Sequence, residues 1–190
     1  MFEFIEYVTK NKLYYLPLKE LKKISNITDG VEKVYLYANN VGKIENLPNS
    51  IKKLSLADNK IKKIENLPRN LEYLDLGFNM IKKIEYLPRN LRYLKLSNNS
   101  ISKIEGLPEN LRELYLSNNS ISKFENIPDT VKELYIAFNN IEVIENLPQK
   151  IKHINLEGNP ITAITRDSYE LIKKNRVMIY GINLDNLSLV

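Results

Sequence analysis

The chain has 190 residues, 43% hydrophobic and 27% charged, with a net charge of +5 and a pI near 9.1, a balance ordinary for one soluble globular unit or repeat array. It holds one histidine and no cysteine, which excludes disulfides, thiolate-held zinc and a cysteine nucleophile. No run approaches the roughly 18 apolar residues of a membrane-spanning helix, and the acidic opening Met1-Phe2-Glu3-Phe4-Ile5-Glu6 does not resemble a secretory signal, so a cytoplasmic protein without a targeting peptide is expected.

Residues 1–30 read as an N-terminal cap plus one degenerate copy of a repeat that becomes regular further on. Leu21, Ile24 and Ile27 keep its later half, but Lys19 replaces the asparagine of every subsequent copy and Pro17 follows the would-be strand. From Val31 the pattern L-x-x-L-x-L-x-x-N-x-I-x-x-I-E-x-L-P-x-x returns every 20 residues, starting at Val31, Ile51, Leu71, Leu91, Leu111, Val131 and Ile151. Counted from these starts, positions 1, 4, 6, 11, 14 and 17 are aliphatic or Phe in 41 of 42 slots. The exception is Asp167, where the array ends, so residues 31–166 form seven repeats.

Six buried side chains cannot offset the entropy of ordering twenty residues, so a single copy cannot fold alone. Stacked copies bury both faces of each rung, which makes a solenoid the stable solution. Positions 3–7 alternate with period two and predict a strand with one buried face. Stacking lays about eight such strands side by side, parallel and about 4.8 Å apart. Position 9 is Asn in all seven copies, from Asn39 to Asn159. Its amide offers both a donor and acceptors to backbone groups stranded where the chain turns inward, and stacked copies can bond along the array. Proline at position 18, from Pro48 to Pro148, stops helix formation. The outer side is therefore predicted to be extended.

Residues 167–190 read as a C-terminal cap. Asp167 or Ser168 is expected to cap a short helix running to about Asn175, with Tyr169, Leu171 and Ile172 turned to the core. Arg176–Tyr180 is predicted as a final strand.

These residues resemble leucine-rich-repeat proteins over nearly the whole chain. The half L-P-x-x-L-x-x-L-x-L-x-x-N is similar to the short repeats of bacterial type-III-secreted effectors. The half from Asn59 to Leu67 is similar to an intracellular class typified by a regulatory subunit of protein phosphatase 1, as is the ending Leu156-Glu157-Gly158-Asn159-Pro160 with Tyr169 and Val177 to Ile179. The resemblance implies a right-handed α/β horseshoe with its parallel sheet on the concave side, and protein-binding activity. It implies no ubiquitin-ligase function, because the catalytic cysteine of such effectors is missing, and the 20-residue period departs from the 22 of the phosphatase regulators.

The concave face displays positions 3, 5, 7, 8 and 10, and here the copies diverge. Tyr35, Tyr37, Tyr73, Asp75, Phe78, Tyr93, Lys95, Tyr115, Tyr135, Phe138 and His153 make this face rich in aromatics with interspersed charge. Half-exposed tyrosines bury large area at low entropy cost when a partner docks, although tyrosine also suits strands on packing grounds alone. Small residues at position 7 (Ala57, Gly77, Ser97, Ser117, Ala137) leave room beside the rings. The expected function is a monomeric, non-catalytic scaffold with a protein partner and no cofactor, metal or membrane. His153 lacks the second ligand a metal needs and the nucleophile a general base needs.

A lysine stripe at position 13 (Lys43, Lys63, Lys83, Lys103, Lys123) raises a second reading, nucleic acid or another anionic surface. Glu at position 15, from Glu45 to Glu145, runs beside it, and the two columns read better as paired structural charge ladders. A third reading is a purely structural array, since the segments 96–103 and 116–123 are identical.

Overall fold

The computed structural model describes residues 13–15 as backbone, and residues 20–24 and 27–190 in full. The 20-residue period becomes geometry directly: each copy supplies one short strand, laid parallel to its predecessor. The main sheet is β1 (Leu13–Tyr15), β2 (Lys33–Tyr35), β3 (Lys53–Ser55), β4 (Tyr73–Asp75), β5 (Tyr93–Lys95), β6 (Glu113–Tyr115), β7 (Glu133–Tyr135), β9 (His153–Asn155) and β11 (Met178–Tyr180), in that spatial order. A second sheet of three two-residue strands lies on the outer side: β8 (Val143–Ile144), β10 (Ala163–Ile164) and β12 (Ser188–Leu189), with β10 central.

Position 3 pairs with position 3 and position 5 with position 5, as in Tyr73 with Tyr93 and Tyr115 with Tyr135. The period breaks once, where His153 pairs with Met178 rather than with residue 173, because helix α1 (Arg166–Asn175) is inserted. Among the described residues the sheet holds nine strands where the repeat count suggests about eight; the ninth is the expected cap strand, shortened to Met178–Tyr180. Regular strands span positions 3–5 rather than 3–7. Ladder bonds nevertheless continue past them, as in Leu36 N–H to Ser55 O and Ala38 N–H to Ala57 O, both 2.9 Å.

The ladder ends in a corner at position 8, where the backbone turns left-handed: Ala38, Asp58, Phe78, Asn98, Asn118, Phe138 and Gly158 have φ between 53° and 68°. A second left-handed corner falls at position 16, from Asn46 to Asn146. This conformation costs an ordinary side chain about 1–2 kcal/mol. It suits Asn and Gly, and the stacked rungs impose it on Ala38, Phe78, Tyr86 and Phe138 regardless of propensity.

Positions 1, 4, 6, 11 and 14 are buried throughout the seven copies, Ile161 alone being half-buried, and form one continuous core. Position 17 is less buried than its composition implies: Leu47, Leu67, Leu87, Leu107 and Ile127 are half-buried and pack on the core margin. Leu147 alone is buried. The proline after each of these residues opens a turn whose hydrogen bond runs from position 1 N–H back to the proline carbonyl. Ile51 N–H to Pro48 O at 3.3 Å and Val131 N–H to Pro128 O at 3.0 Å are examples. Among the described residues the outer side carries no helix before the cap, in line with the proline signal.

The position-9 asparagines act as expected and more specifically. Asn139 Oδ1 accepts from Ile121 N–H of the preceding rung at 2.9 Å. Its Nδ2 donates to Leu116 O of that rung at 3.0 Å and to Ile136 O of its own at 3.1 Å. Asn59, Asn79, Asn99, Asn119 and Asn159 repeat this bridging. The asparagines thus tie rung to rung through backbone groups and not through one another.

Of the N-terminal reading, Ile24 and Ile27 are buried and Leu21 packs on the core, while residues 1–12, Pro17 and Lys19 lie outside the described residues. At the other end the helix cap is Thr165, not Asp167 or Ser168. Strand β10 carries the chain as far as Ile164, and Thr165 is the next residue; its Oγ1 accepts from Ser168 N–H at 3.4 Å. Asp167 sits inside the first turn, where its charge complements the helix dipole. Ile172 is buried and Tyr169 and Leu171 are partly so, as the pattern implies.

Candidate functional site

A strand with its position-4 residue in the core must turn positions 3 and 5 to the other face. Every rung from β2 to β9 obeys this, with position 4 fully buried and its neighbours at least partly accessible in all but Ser55. The identity of the position-3 and position-5 columns therefore sets the chemistry of the concave surface.

Between β4 and β7 these columns form one connected cluster. Tyr73 and Tyr93, both at position 3, have ring centroids 6.4 Å apart and tilted by 37°. Tyr115 and Tyr135, both at position 5, stack at 4.5 Å and 5°. Lys95 joins the two pairs, its Nζ lying 4.8 Å from the Tyr115 centroid and 5.9 Å from that of Tyr73. A cation over two ring faces gains quadrupole attraction from both. The Tyr115 hydroxyl donates to Glu113 Oε2 at 3.1 Å, and that of Tyr135 to Glu133 Oε2 at 3.2 Å. His153 Nδ1 extends the row, 3.7 Å from Glu133 Oε1. Asp75 anchors the β4 end, its Oδ1 accepting from Gly77 N–H at 3.0 Å.

These contacts perturb the phenols in one direction. Tyr73 is pushed up to about 12, first by burial and then by the Asp75 charge. Tyr115 is raised by burial and by the Glu113 carboxylate that accepts its hydrogen bond, and Tyr135 by burial and Glu133. All three phenols hold their protons well above neutral pH. The cluster therefore presents neutral hydroxyls beside one ammonium and several carboxylates.

The other predicted residues lie around it. Tyr35 stands at one end on β2, across β3 with its Lys53 and Ser55, and adds to the raising of Tyr73. Tyr37 is about one-third exposed at position 7 of the same rung. Phe78 and Phe138 sit on left-handed corners beyond the strands, 61% and 51% exposed, so they bracket the cluster at its rim. Phe138 needs a glycine beside it: a Cβ on Gly158 would come within 2.4 Å of the Phe138 ring. That dependence spans 20 positions and has no local sequence signal.

A second asparagine column, at position 16, also escapes the sequence reading. Asn66, Asn126 and Asn146 donate to the carbonyls of Ile44, Ile104 and Phe124 on the preceding rung, at 3.0–3.3 Å. The motif I-E-N-L contains these residues, but Tyr86 and Gly106 interrupt the column and hide it.

The expected pairing of the position-13 lysines with the position-15 glutamates is not formed. The lysines from Lys43 to Lys123 are exposed, and none is in ion-pair contact with a carboxylate among the described residues. Two residues apart on an extended chain, the side chains run roughly parallel at about 6.7 Å and do not converge. Among the described residues no three acidic or histidine side chains group as metal ligands would. No helix among them is long and apolar enough to cross a membrane.

With this geometry in view, the fold is that of a leucine-rich-repeat solenoid. The family model of leucine-rich repeats (two copies) matches residues 49–89 and again 89–129. Among solved structures the chain is similar to YopM from Yersinia enterocolitica, at 26% identity and a TM-score of 0.72, covering 80% of this chain and 34% of that one. It is also similar to YopM, a leucine-rich effector protein from Yersinia pestis, at 25% identity and a TM-score of 0.69, covering 88% and 48%. The Shigella effector leucine-rich-repeat domain shares the fold at 22% identity and a TM-score of 0.66, covering 85% and 77%. The chain thus spans about a third to a half of the Yersinia chains it matches. No curated protein sequence matches it.

Proposed function

We propose that the chain is a monomeric, non-catalytic interaction scaffold of the cytoplasm that binds a protein or peptide on the concave face between β4 and β7. The observation carrying this reading is the pair of tyrosine couples joined through Lys95, with Tyr115 and Tyr135 stacked at 4.5 Å. Rings held by one another and by carboxylates lose little further freedom on docking, so most of their burial becomes affinity. The core columns hardly vary while these columns change chemistry from rung to rung, as a surface read by one particular partner would. Similarity to Yersinia effector repeats agrees with a binding role.

The test replaces Tyr93 and Tyr115 by Ala together. The double variant keeps its circular dichroism spectrum and loses capture of the partner in pull-downs. Undiminished capture by the folded variant removes the concave site.

A second reading, binding of an anionic surface through Lys43 to Lys123, is favoured by one observation: those lysines make no ion pair among the described residues. The Glu column beside them weakens the field they present. A gel shift at low salt separates this reading from the first, because phosphate contacts weaken steeply as salt rises.

A further inference from the structure

We propose a second recognition surface, at the strand-entry edge of the sheet, that takes an acidic helical segment of a partner protein. An open groove of about 730 Å³ runs along this edge. Its walls carry Lys52, Arg92, Arg112, Lys132 and Lys150, with Glu72 the single carboxylate. The residues come from positions 2 and 20 of successive copies, which flank the turn closing each rung. Neither position contributes to the concave cluster, so this inference does not depend on the function proposed above.

The cations in the groove differ in their partners. Lys52 is 3.5 Å from Glu32 and is thereby neutralised. Arg92, Arg112, Lys132 and Lys150 are exposed and make no ion pair among the described residues. The carboxylates next in sequence to two of them, Glu113 and Glu133, are engaged by the hydroxyls of Tyr115 and Tyr135. Four like charges on adjoining rungs repel one another, and an anion laid along them relieves that repulsion. The position-13 lysines lack this character, because a glutamate column runs beside them.

Spacing selects the partner's form. Four rungs span roughly 14 Å at about 4.8 Å each. Carboxylates one turn apart on a helix span roughly 16 Å over three turns, a mismatch long side chains absorb. Acids on one face of an extended strand would span roughly 20 Å over three steps, which overshoots. The two arginines supply planar forks that match carboxylates.

Hydrogen bonding favours a protein over a phosphate polymer. Asn70 and Asn110 line the groove, and each donates from Nδ2 to a carbonyl of the preceding rung, Asn49 O at 3.0 Å and Arg89 O at 3.1 Å. Thr130 likewise commits its hydroxyl proton to Glu109 O at 2.7 Å. Each amide keeps its Oδ1 as an acceptor and its second N–H as a donor. A protein segment brings both donors and acceptors to them, whereas a phosphodiester, an acceptor only, leaves the amide oxygens unmet.

The test is fluorescence anisotropy on the full chain with three labelled probes. One is an alanine-rich helical peptide with Glu at i, i+4, i+7 and i+11; one has the same composition with Glu at alternate residues; one is single-stranded oligothymidine. The helical probe is expected to bind more tightly than the other two. Its affinity falls on the order of tenfold in the Arg92→Ser, Arg112→Ser, Lys132→Ser variant, and stays unchanged in the Tyr93→Ala, Tyr115→Ala variant. Circular dichroism checks the fold, and Arg112→Ser alone serves if the triple variant does not fold. Absence of binding, unchanged affinity in the serine variants, or equal binding of the alternating peptide overturns the proposal. Tighter binding of oligothymidine overturns it in favour of nucleic acid, and loss of binding in the tyrosine variant moves the site to the concave face.

Discussion

Replacing Asn139 by Ala isolates the bond system that turns separate rungs into one body. Asn139 is 5% exposed and serves four backbone groups on two rungs: Ile121 N–H at 2.9 Å, Leu116 O at 3.0 Å, Ile136 O at 3.1 Å and, more weakly, Ala137 O at 3.2 Å. Alanine is too small to bridge them. A buried donor left unsatisfied costs about 1–3 kcal/mol, and each lost net bond about 1 kcal/mol. The variant is therefore expected to lose about 3–5 kcal/mol. With a urea m-value near 2 kcal/mol/M, the midpoint falls by about 1.5–2.5 M. The assay is urea unfolding followed by far-ultraviolet circular dichroism. The adjacent Asn140 is exposed, and its replacement by Ala should stay within about 0.5 kcal/mol. Asn139→Asp keeps the acceptor but turns an oxygen toward three carbonyls, so at pH 7 it is expected to be at least as damaging as Ala. Equal midpoints for the Asn139→Ala and Asn140→Ala variants would refute the reasoning, since the bridging bonds would then carry no net stability.

Two further outcomes follow from the geometry. Gly158→Ala places a Cβ against the Phe138 ring at a φ of +68°, and should cost about 2–3 kcal/mol; in a Phe138→Ala background only the left-handed penalty of about 1–2 kcal/mol should remain, and additive costs in this double-mutant cycle would contradict the contact. Alkaline stability should follow the tyrosines: a phenol whose folded-state pKa is raised contributes stability that is complete below the unfolded value near 10 and is lost as pH rises through the folded one, near 12 for Tyr73. Thermal melts from about pH 8 to pH 12 should therefore show a decline above about pH 10 that Tyr73→Phe makes shallower, and a Tyr73 titrating near 10 by ultraviolet absorbance would count against the cluster.

The period of the sequence carried most of the fold because a solenoid repeats one local decision. Position 4 in the core, position 9 bridging and position 18 closing a turn each follow from a residue type and its spacing, and seven copies make each of them visible. What stayed hidden depends on contacts between rungs. Phe78, Phe138 and Tyr86 occupy left-handed corners that their side chains disfavour, because stacking dictates the backbone there and the residue only complies. Thr165 caps the helix instead of Asp167 because the outer strand β10 sets where the helix can begin. The bridge from Tyr73 through Lys95 to Tyr115 crosses two columns and three rungs, so the residues were legible as a face but not as a connected cluster. The lysine and glutamate columns were legible as neighbours, yet an extended backbone holds their side chains parallel and apart. The edge groove mixes positions 20 and 2, which belong to different ends of the written repeat and meet only when the rungs stack.

Site-specific photo-crosslinking tests the central functional claim most directly. A photoreactive phenylalanine analogue in place of Tyr93, on the concave face, is compared with the same group in place of Lys63, on the outer side, in extracts of the source cells. The account predicts a discrete protein adduct from position 93 and none from position 63. An adduct from position 63 with none from position 93 would contradict it.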